Sequence, residues 1–433
     1  MRVAIVSDTH FGDPMCALVT RNNTSKIVPG PKYEDFKKAA GTNNDYLILV
    51  GDIFDFSISS YQETYEYAKI FFLQIQRDHI AKEIILVPGN HDADLWHIVE
   101  HETNIINQIK NGQMPRPFRL SLPGFIDDRK DSPNRGFTLP GVRAKPDQKG
   151  PRYAGLYLDN ITVSIQNGKK VGEPTLFNFC YPNIYMVTDN ESVLITHGQY
   201  FDTYWAFACE WAMKLAPEDL KVGGALDLHE MVGINFPLSQ LGCSGVGQAG
   251  PLTKVVRQLQ RDVKDRDLKR VNKYLDRLNH EINKMIHFPW YRQYLESLTD
   301  FISNRIIRMI QKSIANIVEA RYNEEFIHKK EVQERFMNFY NSSLLEIDQL
   351  NMEYGYDIPT PRYVIFGHTH QPIPWRDPNA PKAQVFLDAR LKSTSLFNTG
   401  GWLNKKVDNL LKFVGAEVFT YSSQEGFKSV SIR

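Results

Sequence analysis

Five short clusters of carboxylate, imidazole and amide side chains are the residues of this sequence that could do chemistry. In chain order they are Asp8 with His10, then Asp52, then Asn90 with His91 and Asp92, then His197, and last His368 with His370. Oxygen and nitrogen ligands without a thiolate suit manganese, iron, zinc or nickel better than a cysteine-based structural zinc site. The clusters therefore predict a centre for divalent transition metals.

The spacing inside two of these clusters would place two ligands on one side of the chain. Residues two apart in an extended segment point the same way, so Asp8 and His10, or His368 and His370, can face one ion or an ion pair. Taken singly, each cluster is more easily explained as a turn or a chance pair. Together they use five of the twelve histidines, and that joint pattern favours a metal site.

Each cluster follows a short apolar run with the length of a buried strand. These runs are residues 3–6, 46–50, 84–87, 192–196 and 362–366. Residues 33–40 and 61–78 have helical length and mixed polarity, so the first hundred residues alternate strand and helix as layered α/β folds do. Because ligand sites in α/β sheets collect at the carboxyl ends of strands, the five clusters are expected to meet.

The rest of the chain divides by composition. Residues 113–152 contain seven prolines and no clear periodicity, which predicts a long surface loop. Residues 255–286 are charge-dense and residues 301–318 place isoleucines near one helical face. Residues 201–359 are therefore predicted to form an inserted helical cap subdomain. Residues 397–432 form a strand-rich tail that resumes the first fold. The predicted organisation is a catalytic core of residues 1–200 and 360–433, interrupted by the insert.

Composition narrows the protein class without naming a function. A chain of 433 residues with 42% hydrophobic and 23% charged residues is typical of a globular protein. Its four cysteines are far apart and suit reduced thiols, and the short apolar N-terminal run does not fit a signal peptide, so a cytoplasmic location is expected. No stretch is long and apolar enough to predict a transmembrane segment, which leaves peripheral membrane contact open. Composition assigns no oligomeric state.

The order of the motifs, DxH, GD, GNH followed by an acid, a lone His and GHxH, resembles the calcineurin-like metallophosphoesterase superfamily. The resemblance covers residues 1–200 and 362–433 and implies an α/β fold of four layers, an α-β-β-α sandwich. It implies two divalent metal ions, with manganese expected and iron, zinc or nickel as alternatives. One ion would be held by Asp8, His10, Asp52 and His370, and the other by Asp52, Asn90, His197 and His368.

The resemblance makes His91 a catalytic residue that does not bind metal. Two cations a few ångströms apart can clamp a phosphoryl group and generate a hydroxide nucleophile. A nearby histidine can supply the proton that the leaving group needs. Asp92 would either orient the His91 imidazole or cap the helix that begins near Asp94.

Two features bear on the substrate. Residues 51–55 lack the Asp-Arg-Gly continuation typical of serine/threonine protein phosphatases in this superfamily, which disfavours that branch. An insert between the lone His and GHxH is similar in layout to the UDP-2,3-diacylglucosamine hydrolases, although those typically carry Arg at the position of His91. The expected substrate is therefore a small-molecule, nucleotide-linked or lipid-linked phosphodiester, phosphomonoester or pyrophosphate.

Charge inside the insert supports an alternative. Residues 254–330 contain 17 Lys and Arg against 10 Asp and Glu, and a basic surface can bind nucleic acid or anionic lipid. A nuclease is therefore the second hypothesis, although an ordinary solvated helix face explains most charge runs. A scaffold that keeps its ligands without catalysis is the third and weakest hypothesis.

Overall fold

The computed structural model describes most of the chain apart from one long segment and several short ones. The described residues are 1–143, 152–154, 158, 161–166, 169–171, 175–215, 221–222, 225–240, 243, 248, 269–270, 272–273, 276–277, 326–376, 385–387, 393–407 and 410–433. Among them, no helix has the length and apolar character needed to cross a membrane.

The described residues form a mixed α/β structure. The strands are β1 (Arg2–Val6), β2 (Val19–Arg21), β3 (Ile27–Pro29), β4 (Asn44–Val50), β5 (Ala81–Val87), β6 (Gly124–Asp127), β7 (Gly136–Thr138), β8 (Ser164–Gln166), β9 (Lys169–Val171), β10 (Phe177–Phe179), β11 (Asn183–Val187), β12 (Ser192–Thr196), β13 (Lys221–Val222), β14 (Ala225–Leu226), β15 (Tyr363–Phe366), β16 (Val385–Leu387), β17 (Ser393–Asn398), β18 (Gly400–Val407), β19 (Leu410–Ser422) and β20 (Gly426–Ile432). The α-helices are α1 (Tyr33–Ala40), α2 (Tyr61–Arg77), α3 (Ala93–Glu100), α4 (Asn107–Lys110), α5 (Thr203–Leu215), α6 (Leu228–Gln240) and α7 (Lys330–Tyr354). A π-helix (His101–Ile106) joins α3 to α4, and two short 3-10 turns (Gln199–Phe201 and Phe326–His328) precede α5 and α7.

The first large sheet has seven strands. Their order is β10-β5-β4-β1-β19-β18, and β20 pairs with β19. Strands β10, β5, β4 and β1 are parallel, whereas β19 runs antiparallel to β1. The C-terminal strands therefore complete the sheet that the N-terminal strands begin, as the strand-rich tail predicted. Parallel strands buried on both faces need continuous apolar runs, which explains why the last four residues of β1, β4 and β5 are all buried.

The second large sheet also has seven strands, in the order β16-β17-β15-β12-β11-β6-β7. Its central strands β12, β15 and β17 are parallel, so β12 and β15 end at the same edge. All five predicted strands are confirmed as β1, β4, β5, β12 and β15, and the two predicted helices are confirmed as α1 and α2. Ser60 caps α2, because its side chain accepts the N–H of Glu63.

The prediction of a long surface loop at residues 113–152 is wrong in its central part. Strands β6 and β7 lie inside it, and β6 pairs in parallel with β11. Phe125 and Ile126 are fully buried. The prolines obscured a strand of only four residues, which is too short to show periodicity by itself. Residues 144–151 lie outside the described residues.

Helix α7 lies inside the predicted insert but packs on the second sheet. The Tyr185 hydroxyl on β11 donates to Glu346 at 2.6 Å, and Asn183 donates to the Ser343 hydroxyl at 3.1 Å. Phe339 of α7 stacks on Tyr200, with ring centroids 5.9 Å apart. The predicted boundary at residue 359 therefore falls after a helix that covers a core sheet. The predicted insert also contains the β13–β14 hairpin, and most of residues 241–325 lie outside the described residues.

Candidate metal centre

The polar clusters meet where strands of the two large sheets end. Asp8, Asp52 and Asn90 follow β1, β4 and β5 of the first sheet, whereas His197 and His368 follow β12 and β15 of the second. Their side chains and those of His10 and His370 are buried. All seven residues proposed as metal ligands from the sequence therefore lie in one buried region.

Asp8, His10 and His370 form the first ligand group. Nε2 of His370 lies 3.1 Å from Oδ1 of Asp8 and 3.2 Å from Nε2 of His10. One ligand atom from each of the three residues lies within 4.8 Å of the other two. A set of two imidazole nitrogens and a carboxylate oxygen at this spacing can coordinate one divalent transition metal.

Asp52, His197 and His368 form the second ligand group by the same 4.8 Å criterion. Nε2 of His197 lies 3.3 Å from Oδ2 of Asp52 and 3.2 Å from Oδ1 of Asn90. The same Oδ2 atom of Asp52 is 3.8 Å from Nε2 of His10 in the first group. Asp52 therefore lies between the two groups, the position that a bridging carboxylate needs.

The backbone is held in an uncommon conformation at five of these residues. Asp8, His10, Asp52, His368 and His370 all have φ between 48° and 67°. Left-handed backbone conformations in residues other than glycine cost free energy and cluster at functional sites. Gly51 has φ of 76°, and a Cβ atom there would lie 2.4 Å from the His197 ring. Only glycine fits at this turn, because the imidazole needs that space.

The His91 imidazole shares a carboxylate with His10. Oδ1 of Asp55 lies 3.0 Å from Nδ1 of His91, and Oδ2 of Asp55 lies 2.8 Å from Nδ1 of His10. The Ser57 hydroxyl donates to Oδ1 of Asp55 at 2.5 Å and lies 2.7 Å from Nδ1 of His91. Asp55 therefore orients both rings. Sequence reasoning missed this residue, and its only signal was a second aspartate three residues after Asp52.

The Asp92 side chain does neither of the two things predicted for it, orienting the His91 ring or capping α3. Its oxygens accept the backbone N–H groups of Gly89 at 2.6 Å and Ile53 at 2.8 Å, and those of Asp52 and Phe54 at 3.3 Å. It precedes α3, yet its side chain makes no capping hydrogen bond. The carboxylate that orients His91 is that of Asp55, so the prediction that Asp92 orients this ring is wrong. Asp92 secures the turns after β4 and β5, which carry Asp52 and Asn90.

The site concentrates negative charge that burial makes costly. Burial alone would raise the pKa of Asp52, but His197 and His91 outweigh it and hold that pKa well below its usual range. Burial would lower the pKa of His197, but Asp52 raises it to about 9. The carboxylates thus need positive charge close to them. Bound divalent cations would supply that charge and would leave the imidazoles neutral.

An unsatisfied buried atom indicates that the residues fit a metal. Nδ1 of His368 is buried and has no hydrogen-bond partner among the described residues. Buried ring nitrogens normally have a hydrogen-bond partner, because burying one without a partner costs free energy. A bound cation that accepted the nitrogen lone pair would remove that cost.

Residues 1–163 match the family model described as calcineurin-like phosphoesterase.

Members of this family are metal-dependent hydrolases. The matched segment contains Asp8, His10, Asp52, Asn90 and His91, whereas His197, His368 and His370 lie beyond it. The tertiary structure brings those three histidines to the candidate ligands of the matched segment. No curated protein matches the chain.

Asp202 is a further site residue that sequence reasoning did not select. It is buried at the start of α5, and its Oδ2 atom lies 3.3 Å from Nε2 of His368. It follows His197 by five residues. This spacing has no motif that would have predicted a contact with His368, because strand pairing between β12 and β15 creates it.

Proposed function

We propose that this chain is a two-metal phosphoesterase. Its reaction is hydrolysis of a phosphodiester, phosphomonoester or pyrophosphate bond in a small-molecule, nucleotide-linked or lipid-linked substrate. Asp8, His10, Asp52 and His370 would hold one divalent ion, and Asp52, Asn90, His197 and His368 would hold the other. Manganese is the proposed metal, with iron, zinc or nickel as alternatives, because a mixed set of carboxylate, amide and imidazole ligands suits these ions.

The observation that carries this proposal is the position of Asp52. One oxygen of this carboxylate lies within 3.8 Å of a histidine nitrogen in each ligand group. The main-chain N–H of His91 donates to its other oxygen at 2.8 Å. A carboxylate fixed in this way between two ligand groups suits a pair of ions better than a single one.

Bound metals would polarise the phosphoryl oxygens and lower the pKa of water. Residues of the chain would orient and supply the proton that the leaving group needs. Nδ1–H of His91 donates a hydrogen bond to Asp55. Nε2 is therefore the nitrogen that would transfer a proton to the leaving-group oxygen. The His91 side chain is 13% exposed, whereas those of His10, His197 and His370 are fully buried. His91 is therefore the imidazole best placed to meet a substrate.

The finer architecture is part of the proposal. We infer a four-layer α-β-β-α sandwich in which the two large sheets lie between helices. We infer also that residues 201–359 include a helical cap over the site, in the manner of UDP-2,3-diacylglucosamine hydrolases. We propose further that the protein is cytoplasmic and that it can contact membranes peripherally. The proximity of Asp202, at the start of α5, to His368 supports a cap that begins beside the metals.

Metal content measured beside hydrolysis tests the proposed function. Chelation of the purified protein should abolish hydrolysis of an aryl phosphodiester, and Mn²⁺ should restore it. His91→Ala should keep both metals and slow turnover by roughly two to four orders of magnitude, the contribution of general acid catalysis. Asp52→Ala should lose metal. Full activity in a protein shown by elemental analysis to be metal-free would refute the proposal, as would loss of metal from His91→Ala.

A nuclease is the second candidate because of the basic segment. Lys269, Arg270 and Lys273 are exposed, and side chains that contact phosphates make binding depend on salt. Changing all three to Gln should weaken DNA or RNA binding and reduce its salt dependence if the substrate is nucleic acid. Hydrolysis of a small aryl phosphodiester should remain unchanged. Nucleic-acid binding equal to that of the parent protein would exclude this segment as the contact surface.

A further inference from the structure

The two ring nitrogens of His368 differ in their hydrogen-bond partners. Its Nε2 atom lies 3.3 Å from Oδ2 of Asp202, whereas its Nδ1 atom is buried without a hydrogen-bond partner among the described residues. The main-chain N–H of His368 donates to Oδ2 of Asp8 at 3.0 Å, so the backbone beneath the ring is fixed as well. One ring nitrogen thus has a carboxylate partner and the other has none.

Asp202 is itself fixed by the start of α5. Its Oδ1 atom accepts the N–H of Tyr204 at 3.0 Å, and its carbonyl oxygen accepts the N–H of Ala206 at 3.1 Å. The Asp202 N–H donates to the carbonyl of Gln199 at 3.0 Å. One carboxylate oxygen therefore caps the helix, and the second oxygen faces His368.

A neutral imidazole carries one proton, and a carboxylate determines which nitrogen bears it. An ionised carboxylate only accepts hydrogen bonds, so Asp202 keeps the proton of His368 on Nε2. The lone pair is then on Nδ1, the atom without a partner. Histidines that bind metals commonly donate their other N–H to a carboxylate, which fixes the tautomer and the ring orientation.

We propose that Asp202 is a positioning residue that directs the Nδ1 lone pair of His368 to the second metal ion and ties that ion to the first turn of α5. This inference rests on the proposed two-metal function. Asp202 lies outside the ligand sets and outside the segment matched by the family model. Metal binding and the order of α5 should also be linked, because one carboxylate takes part in both.

Asp202→Asn is the informative substitution. An asparagine can keep its oxygen on the Tyr204 N–H, and its NH₂ group then faces Nε2 of His368. That donor favours the opposite tautomer, with the proton on Nδ1, where the metal should bind. Asp227→Asn is a matched control, because Oδ1 of Asp227 accepts the N–H of His229 at 2.8 Å at the start of α6. Both changes keep the helix cap and remove one charge.

Calorimetric titration of the metal-free, full-length proteins with Mn²⁺ tests the proposal. Asp202→Asn should weaken one of two binding steps about 10-fold to 100-fold, the usual effect of losing such a partner, while Asp227→Asn should match the parent protein. Nitrogen NMR of the metal-free proteins should show His368 protonated on Nε2 in the parent and on Nδ1 in Asp202→Asn. Hydrogen exchange in α5 should slow on metal addition in the parent more than in Asp202→Asn.

The outcomes separate this inference from the function it rests on. A parent protein that binds no Mn²⁺ would overturn the proposed function together with the inference. Equal affinities in the parent and Asp202→Asn, or an equal loss in Asp227→Asn, would overturn the inference alone. If Asp202→Asn does not fold, Asp202→Ser serves instead, because its hydroxyl can cap the helix without reaching His368. Parent-like metal affinity in Asp202→Ser would also overturn the inference.

Discussion

Two aspartates outside the ligand groups set the orientation of three imidazoles. Asp55 contacts Nδ1 of both His10 and His91, and Asp202 contacts Nε2 of His368. A buried carboxylate in such a position is stabilised by its partners: burial would raise the pKa of Asp55, but His91 and His10 hold it well below the usual range. Asp55 therefore stays ionised and accepts a hydrogen bond from Nδ1–H of each ring.

We expect Asp55→Ala to impair catalysis and metal binding together. The methyl group offers no acceptor, so both His10 and His91 lose the carboxylate that orients them. Turnover should fall about 100-fold or more, and affinity for one metal should fall about 10-fold. Rate and metal content measured on the same sample check this. An effect on rate alone, with metal affinity unchanged, would mean that Asp55 serves His91 only.

At the scale of elements, the turn after β4 is held by a carboxylate from the turn after β5. Asp92 accepts N–H groups from both turns, and the parallel pairing of β4 with β5 brings those turns together. These contacts fix Asp52 relative to Asn90. The metal centre therefore depends on a turn geometry that is built into the sheet.

Asp92→Ala should lower the free energy of unfolding by more than the loss of a single hydrogen bond would. Four backbone donors would lose their acceptor in a buried place, which should cost on the order of 3 to 5 kcal/mol. Ser60→Ala, which removes the cap of α2, should cost only about 1 kcal/mol. Urea unfolding of both variants in the metal-free state gives the comparison. Equal losses would show that the Asp92 hydrogen bonds add nothing beyond an ordinary cap.

At the scale of the whole molecule, α7 joins the second sheet through a buried carboxyl group. Glu346 receives hydrogen bonds from Ser121 at 2.5 Å and Tyr185 at 2.6 Å. Burial raises the pKa of Glu346 from 4.5 to about 7. The folded protein thus binds this proton more tightly than the unfolded chain does. The resulting stability is fully present below pH 4.5 and is lost as the pH rises towards 7.

Glu346→Gln should reduce that pH dependence. The amide keeps the size of the side chain without a charge, so the variant should gain stability relative to the parent as the pH rises from about 4.5 to 7. The gain should reach on the order of 3 kcal/mol at neutral pH. Chemical unfolding at several pH values, without metal, measures the difference between the two proteins. A difference that does not change with pH would show that Glu346 is ionised in the folded state.

The sequence by itself determined which residues supply the chemistry. Asp8, Asp52, Asn90, His197 and His368 each follow an apolar run, and both the run and the polar cluster are local properties of the chain. The carboxyl ends of strands meet for reasons common to α/β sheets, so the convergence was predictable without knowing the order of the strands.

Only the tertiary structure decided which carboxylate orients which ring, and where the short strands belong. Asp92 is next to His91 in sequence, yet the carboxylate that contacts the His91 ring is that of Asp55, because the segment after β4 brings Asp55 and Ser57 to Nδ1 of that ring. Asp202 reaches His368 only because β12 and β15 are neighbours. Strand β6 is recognisable only from its partner β11. A contact between distant residues depends on strand order and register, and local apolar periodicity does not encode either of them.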